Sequence, residues 1–522
     1  MSPSPTLSRR IEQAVADLAH RYPGPGGAVA VLREGEVLVR HAWGYANAEQ
    51  RIPFTPQTLF RICSITKQFT CAAMLDLCPD LSVLDGAIRA QLPNLAGPAP
   101  GAAHLAHNQS GLRDYWAVAM LQGAAPEQSF GDHDSTRVIA GTRSLQFASG
   151  TRFSYSNNNF RILSNALEAH TGRSFAEMLR AQIFEPAGME TAFLAADTRA
   201  MPDGAEGYEG NVALGFRAAE NRILWTGDAG MGASLDDLIA WERHIDATRD
   251  LSDSLYGRIA RPVSFADGAP AGYGFGLGRG TMHGRPWTGH GGALRGWRSQ
   301  RIHLPQERVS VVVMFNHLAH AHLAQAEVLA AVLGLDRPAS PATLDPPDWL
   351  GAWLEPETGL SLRVEAAEAG QVRVMFGHSP ELLDLNPDGS AGGAGMRLVP
   401  CADGLRLQRG GDNLDSLLRP LAPATAGLDV GGVYACAEID GELTVADAGG
   451  VLYGAFSGPL GRGRMEQLAS IGADVWALPC PRALDHTPPG DWTLHFQRDA
   501  QGRVDRALVG CWLARRLVYE KR

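Results

Sequence analysis

Between residues 27 and 43 the chain reads GAVAVLREGEVLVRHAW, two apolar runs flanking a Glu-Gly pair, which is the pattern of a hairpin. From 64 to 78, SITKQFTCAAMLDLC places Ile65, Phe69, Ala72, Ala73 and Leu77 at helical spacing and predicts a helix with one apolar stripe. Further helical segments are expected at 159–170, 175–183 and 234–245, strands at 273–278, 297–304 and 308–315, and a helix at about 320–333. Strands at both ends with helices between them predict one mixed α/β unit whose sheet is closed by the returning strands.

The pattern breaks at 334–348, GLDRPASPATLDPPD, where four prolines and small polar residues mark a linker. Residues 349–522 show short alternating strands separated by Gly, Asp and Pro turns, an all-β signature. An internal repeat is visible within them. GAWLEPETGLSLRV at 351–364 aligns with GVYACAEIDGELTV at 432–445, pairing Gly351 with Gly432, Trp353 with Tyr434, Glu357 with Glu438, Leu362 with Leu443 and Val364 with Val445. The expectation is two small antiparallel β-barrels, at 349–425 and 426–522.

Length and charge narrow the function. At 522 residues the chain is too long for one core, which fits this division into parts. Its net charge is −10, with no Lys/Arg block, so electrostatics give no reason to expect nucleic acid or an anionic membrane as partner. Arg9 and Arg10 precede a mixed, charged, helical stretch in place of an apolar signal, and no run is long enough to span a bilayer. The seven cysteines are an odd number with no CxxC pair, which suits reduced thiols in a cytoplasm better than a disulfide framework or a zinc site.

Three short patterns carry chemistry. Ser64-Ile-Thr-Lys67 opens the apolar helix, and positions i and i+3 share a helix face, so a Lys ammonium can lie beside the hydroxyl. A serine at a helix N-terminus also has its own backbone N–H free to stabilise an oxyanion. The alternative is an N-cap serine with a solvated lysine. Tyr155-Ser156-Asn157 lies in a loop just before a helix. A tyrosine near a cation can act as a base, and the Asn157 amide can hold a substrate carbonyl and Lys67 together; the alternative is a loop tyrosine and a capping asparagine. His290-Gly291-Gly292 has glycines that let a strand backbone approach a ligand, with Ala293 presenting a second oxyanion N–H; the alternative is a turn with a surface histidine.

In the order SxxK, YxN, HxG, the chain resembles the penicillin-recognising serine enzymes, which include class C β-lactamases, D,D-carboxypeptidases and their esterase and aminopeptidase relatives. His107-Asn108-Gln109-Ser110-Gly111-Leu112 looks like that family's HxSGL stretch with one extra residue, and Gly230-Met231-Gly232-Ala233-Ser234 also matches. The likeness covers 25–333. The YxN element points away from class A enzymes, and His290 stands where β-lactamases usually have lysine, which argues against β-lactamase activity.

The whole chain, barrels included, is most similar to the aminopeptidase branch that removes N-terminal D-residues from short peptides. This closer likeness rests on 110–116, on 289–298 and on Val509-Gly510-Cys511-Trp512-Leu513-Ala514-Arg515. The resemblance implies a β-lactamase/transpeptidase-like α/β catalytic domain at 1–333, followed by the linker and the two antiparallel β-barrel domains. It implies Ser64 as nucleophile with Tyr155 and Lys67 moving its proton, an oxyanion held by the N–H groups of Ser64 and Ala293, and His290 orienting substrate. It further implies a loop at about 476–490 reaching the active site, with Asp485 meeting the substrate amine. A small D-aminoacyl peptide as substrate, no metal or cofactor and a homodimer follow from the same likeness. The rival readings are a D,D-carboxypeptidase, esterase or β-lactamase of the same fold, and a non-catalytic sensor.

Overall fold

The computed structural model describes residues 5–335, 344–368, 370–393, 395–423, 427–484 and 487–522. Most of the linker at 334–348 falls outside them.

An eight-stranded antiparallel sheet organises the first part. The hairpin Gly26–Arg33 and Glu36–Asn47 supplies one side, and the returning strands Val309–Phe315, Trp297–Leu304, Arg285–Leu294 and Leu277–Met282 supply the other. Val29 on the first strand sits opposite Val313 on the last, so the two ends of the segment meet in the sheet's middle, as expected. Side chains alternate across a strand. Val29 and Val31, with Val309, Val311, Val313 and Phe315, face the helices Pro5–Ala16 and Ala321–Val332. Ala28, Ala30 and Leu32, with Val312 and Met314, face the larger helical layer. Burial on both faces explains why these strands read as unbroken apolar runs instead of alternating ones.

In the larger layer the helix expected at 64–78 begins as a 3₁₀ turn, Cys63–Ile65, and continues as the α-helix Thr66–Leu77. The expected helix 159–170 is Asn157–Thr171, and 234–245 is Leu235–Ala247, capped by Ser234 whose hydroxyl accepts the Asp237 N–H. The segment 175–183 is shorter in α form than expected, because Phe175–Leu179 widens into a π turn at Arg180–Phe184. The strand expected at 273–278 is broken by Phe275 and Gly276, whose φ values are +48° and +74°. A side chain on Gly276 would come within 2.4 Å of the Lys67 carbonyl, so only glycine lets this edge pass the helix carrying Ser64 and Lys67.

Beyond the linker, strands from Gly351–Leu354 to Leu414–Pro420 form a closed antiparallel barrel with its own core of Leu362, Val364, Val372, Val374 and Leu405. The repeat is real in register. Gly351 pairs with Val364 and Trp353 with Leu362, while Gly432 pairs with Val445 and Tyr434 with Leu443. The second copy departs from expectation: it is a ten-stranded sheet whose end strands, Gly461–Arg462 and Ala469–Gly472, do not close on each other among the described residues. Its open edge docks instead on the first part. The Leu460 N–H donates to the Gln122 carbonyl at 3.1 Å, and Gly123 packs so tightly on Gly461 that a side chain there would meet its carbonyl at 2.2 Å. One apolar core consequently runs from Leu121 and Ala124 through to Tyr434, Phe456 and Tyr519.

Candidate active site

The strand Phe60–Arg61 delivers the chain to Ser64 under tight control. It pairs with Met231–Ala233, the Met231 carbonyl accepts the Ile62 N–H at 3.2 Å, and Met231 donates its own N–H to Thr66 Oγ1 at 3.1 Å. Arg61 is buried and spends its guanidinium on the carbonyls of Ala195, Asp197 and Ala200. Cys63 then adopts φ +53°, a left-handed conformation that non-glycine residues resist, and this presents half-buried Ser64 at the start of the helix.

Lys67 is fully buried. Its Nζ lies 3.0 Å from Ser64 Oγ, 2.9 Å from Asn157 Oδ1 and 2.6 Å from the Asp228 carbonyl. The two carbonyl-type oxygens can only accept, whereas Ser64 Oγ can donate or accept. Of these three groups, Ser64 is the one that can exchange a proton with Lys67. Tyr155 flanks them: its ring centre is 4.9 Å from Lys67 Nζ and 6.2 Å from the His290 ring.

His290 is on the strand Arg285–Leu294. Its Nδ1 meets the Gly291 carbonyl at 2.5 Å, an oxygen that can only accept, so Nδ1 carries the proton and Nε2 accepts from the Tyr273 hydroxyl at 3.0 Å. Burial, then the Lys67 charge, pushes its pKa down to about 3, against an upward pull from the Gly291 bond that exceeds the remaining downward push from Arg301. It is a neutral hydrogen-bonding group at working pH. Gly292 is pressed on the nucleophile turn: a side chain there would come within 2.2 Å of the Ile62 carbonyl and 2.3 Å of Ser299 Oγ. Ala293, opposite Arg298 in the next strand, follows directly.

Three contributors carry no signal in the sequence patterns. Asp114 is buried, and its Oδ2 accepts both the backbone N–H of Asn157 at 2.6 Å and its side-chain amide at 2.9 Å. That fixes which end of the amide faces Lys67. Asp228 offers its carbonyl to Lys67, while its carboxylate accepts the Tyr115 hydroxyl at 2.5 Å. Tyr273 holds His290. Asp114 lies inside a stretch that carries the family likeness, but its role depends on a partner 43 residues away. Asp228 acts through its backbone, which no side-chain pattern reveals. The HxSGL-like stretch serves the same loop. Asn108 Oδ1 accepts from the Ser156 N–H and the Asn159 amide, and Ser110 donates to Asn159.

The last sheet also reaches this network. The hairpin between Val504–Cys511 and Ala514–Lys521 places the Leu513 carbonyl 3.0 Å from the Asp114 N–H and the Arg515 carbonyl 3.1 Å from Arg113 Nε. Of the sequence-derived residues, Ser64, Lys67 and Asn157 touch, Tyr155 and His290 border them, and Gly292 and Ala293 run past the nucleophile turn. Asp485 lies outside the described residues.

A buried lysine bridging a serine and the YxN asparagine, beside a glycine-rich antiparallel strand, is an arrangement able to carry serine acyl transfer. The β-lactamase family model matches residues 11–334, and the family model described as D-aminopeptidase, domain B, matches residues 343–520. A D-aminopeptidase of Gluconobacter oxydans is 58% identical over 99% of this chain and 100% of its own, and one of Brucella ovis is 46% identical over 98% of each. A solved octameric penicillin-binding protein homologue from Pyrococcus abyssi shares the fold at 19% identity, with a TM-score of 0.52 over 90% of this chain and 97% of its own. The chain belongs to the D-aminopeptidase family.

Proposed function

We propose that this protein removes small N-terminal D-residues, such as D-Ala, from short peptides, amides and esters through an acyl-enzyme on Ser64. The observation that carries the chemistry is Lys67 Nζ at 3.0 Å from Ser64 Oγ in a fully buried setting. Ser64 attacks the carbonyl of the first residue, and its proton leaves through the Lys67–Tyr155 pair, with Tyr155 taking the proton beside the Lys67 charge. The N–H groups of Ser64 and Ala293 hold the oxyanion, Asn157 positions the substrate carbonyl against Lys67, and neutral His290 orients the strand edge on which the substrate lies. The proton passes to the leaving amine, and water resolves the ester.

Asp485, on the loop 476–490, meets the substrate ammonium by a charge-assisted hydrogen bond and closes the cleft to longer acyl groups. The reading is supported by the 58% identity to a D-aminopeptidase over 99% of this chain. In this reading residues 1–333 are the catalytic domain, 334–348 the linker, 349–425 the first barrel domain and 426–522 the domain that lends the loop. No described helix is long and apolar enough to cross a membrane. We place the enzyme in the cytoplasm as a homodimer, which light scattering of the purified chain would check.

The deciding assay is a panel of D- and L-alanyl p-nitroanilides against wild type and Ser64→Ala. We expect cleavage of the D-anilide only, and a loss of at least ~10⁴-fold in the variant with its melting temperature kept. Equal rates on both enantiomers, or a tenth of wild-type rate in Ser64→Ala, would refute the proposal.

A further inference from the structure

The closed barrel takes no part in the chemistry above, yet one of its turns reaches the segment that carries Tyr155. Its strands Gly404–Arg409 and Leu414–Pro420 are joined by the 3₁₀ turn Gly410–Asp412 and by Asn413. The shape of this turn is set from behind. Arg409 lies over the Trp512 ring at 4.8 Å, donates to Glu381 at 2.9 Å through Nη1, and holds the Asp412 carboxylate through Nε. Asp412 is buried, and Asn413 takes φ +54°, a left-handed conformation that asparagine tolerates better than most side chains.

On its outer side the turn grips two segments of the catalytic part. The Asp412 carbonyl accepts the Phe153 N–H at 3.2 Å, and the Asn413 amide donates to the Thr151 carbonyl at 3.0 Å. The same amide donates to Asp267 Oδ2 at 2.9 Å. Gly411 packs on Gly272, where a side chain would meet the Gly411 Cα at 3.5 Å. The two gripped segments are also tied to each other, since the Ala266 N–H donates to the Gly150 carbonyl at 2.8 Å. One of them runs on to Tyr155 and the other to Tyr273. Their rings continue the contact: Phe153 and Tyr155 stand 5.6 and 6.3 Å from Tyr273, whose hydroxyl reaches His290 at 3.0 Å. Neighbouring backbone donors turn the opposite way. The Ser154 N–H goes to the Asn108 carbonyl at 2.9 Å and the Ser156 N–H to Asn108 Oδ1 at 3.1 Å. The Tyr155 loop is thus held between Asn108 on one side and the barrel turn on the other. Removing the Asn413 amide would release the Thr151 carbonyl and the Asp267 carboxylate together.

We propose that Asn413 is a positioning residue for Tyr155: through Thr151 and Asp267 it holds the loop 150–153 against the Tyr273 segment, and so sets the Tyr155 ring beside Lys67. The inference rests on the reading that Tyr155 carries the proton to the leaving amine.

The test compares kcat/KM for D-alaninamide and the S-benzyl thioester of D-Ala in wild type, Asn413→Gly, Tyr155→Phe and the double variant. Rates are read on the full chain with the barrel folded. The amide needs a proton on its leaving nitrogen, whereas the thiolate departs without one. A loosened enzyme loses both rates in proportion; a displaced proton carrier loses more on the amide. Glycine keeps the left-handed turn and removes only the amide group. Asn413→Gly should lower the D-alaninamide value about 10- to 100-fold, because small misplacements of a catalytic group cost rates of that order, and the amide-to-thioester ratio at least about threefold. Tyr155→Phe should lower the ratio further. Adding Asn413→Gly to it should not, since the contact acts only by placing that hydroxyl. If Asn413→Gly fails to fold, Asn413→Asp, which turns an acceptor toward the Thr151 carbonyl and Asp267, takes its place in the same cycle, and Asp267→Asn should then recover part of the loss. An unchanged ratio in the Asn413 variant beside a lowered ratio in Tyr155→Phe would overturn the positioning role and leave the Tyr155 reading standing. A further fall of the ratio in the double variant would also overturn it. An unchanged ratio in Tyr155→Phe would remove the Tyr155 reading, and the inference with it.

Discussion

A single carboxylate shows how this site is tuned. Asp114 accepts both hydrogen bonds that orient Asn157, and Asn157 in turn accepts from Lys67. Burial pushes the Asp114 pKa up to about 6, and the N–H groups of Asn157, Ala117 and Trp116 pull against that shift without cancelling it. The sign follows directly. The folded carboxyl holds its proton more tightly than the unfolded chain does, so this group favours folding most below about pH 4, and that contribution is lost as pH rises toward 6. Activity runs the opposite way, because protonation places a hydrogen on an oxygen that must accept twice from Asn157. We expect kcat to fall as pH drops through about 6, and Asp114→Asn to have a lower kcat with that acid limb flattened. A kcat–pH profile from 4.5 to 8 for both proteins checks this, and an unchanged limb in the variant would assign it to another group. His290, pushed down to about 3, supplies no limb in that range.

Among elements, the strand Arg285–Leu294 and the nucleophile turn Cys63–Ile65 are the closest pair that matters. Ser299 on the neighbouring strand donates to the Ile62 carbonyl at 3.0 Å, and Gly292 fills the gap between them with no side chain. Gly292→Ala would drive a methyl group to 2.2 Å from the Ile62 carbonyl, so the strand must retreat and carry Ala293 away from Ser64. Loss of one oxyanion donor costs about 10²- to 10³-fold in kcat. We expect that loss with a fall of only a few degrees in melting temperature, measured together on one preparation; a kcat within threefold of wild type would show that Ala293 is not a donor. At this scale the sequence was largely readable. The hairpin, the helix after Ser64, the returning strands and the barrel repeat follow from period and turn chemistry, because each depends on neighbours close in the chain. The short helices Ala102–Ala106, Tyr115–Leu121 and Asp132–Ala140 escaped that reading. Tyr115–Leu121, YWAVAML, is apolar nearly all round because it is buried between the catalytic core and the last sheet, so it shows no stripe. The open edge of the last sheet was equally illegible, since closure is prevented by docking on Gln122 and Gly123, more than 330 residues away from that edge.

For the whole molecule, the division read along the chain and the division of its cores differ. The catalytic part and the last sheet share one apolar core, in which Leu121 and Ala124 pack with residues such as Tyr434 and Phe456. They are also joined by Gln122 to the Ile439 carbonyl at 2.7 Å, by Arg113 to Glu438 at 3.2 Å, and by the Leu513 carbonyl to Asp114. The closed barrel from Gly351 to Pro420 has a separate core, entered from outside by Trp512 and Leu513 at the hairpin tip. Its link to the catalytic part is polar and smaller, as in Arg152 with Glu357 and the Asn413 amide on the Thr151 carbonyl. Cooperativity follows shared core more than sequence order, because unfolding one partner exposes the apolar face of the other. Heating should therefore give two transitions. The barrel, about 70 residues at roughly 0.7 kcal/mol each, should absorb about 50 kcal/mol, and the catalytic part should melt together with the last sheet in a transition several times larger. Peptidase activity, sampled after brief heating, should be lost with the larger transition. Mutating Phe376→Ala, which packs on Trp512 across the barrel core, should lower the smaller transition and leave the larger one within a few degrees. Separate melting of the catalytic part and the last sheet would break the argument, because a sheet that can leave without unfolding its neighbour cannot be what holds the Asp114–Asn157–Lys67 line in place.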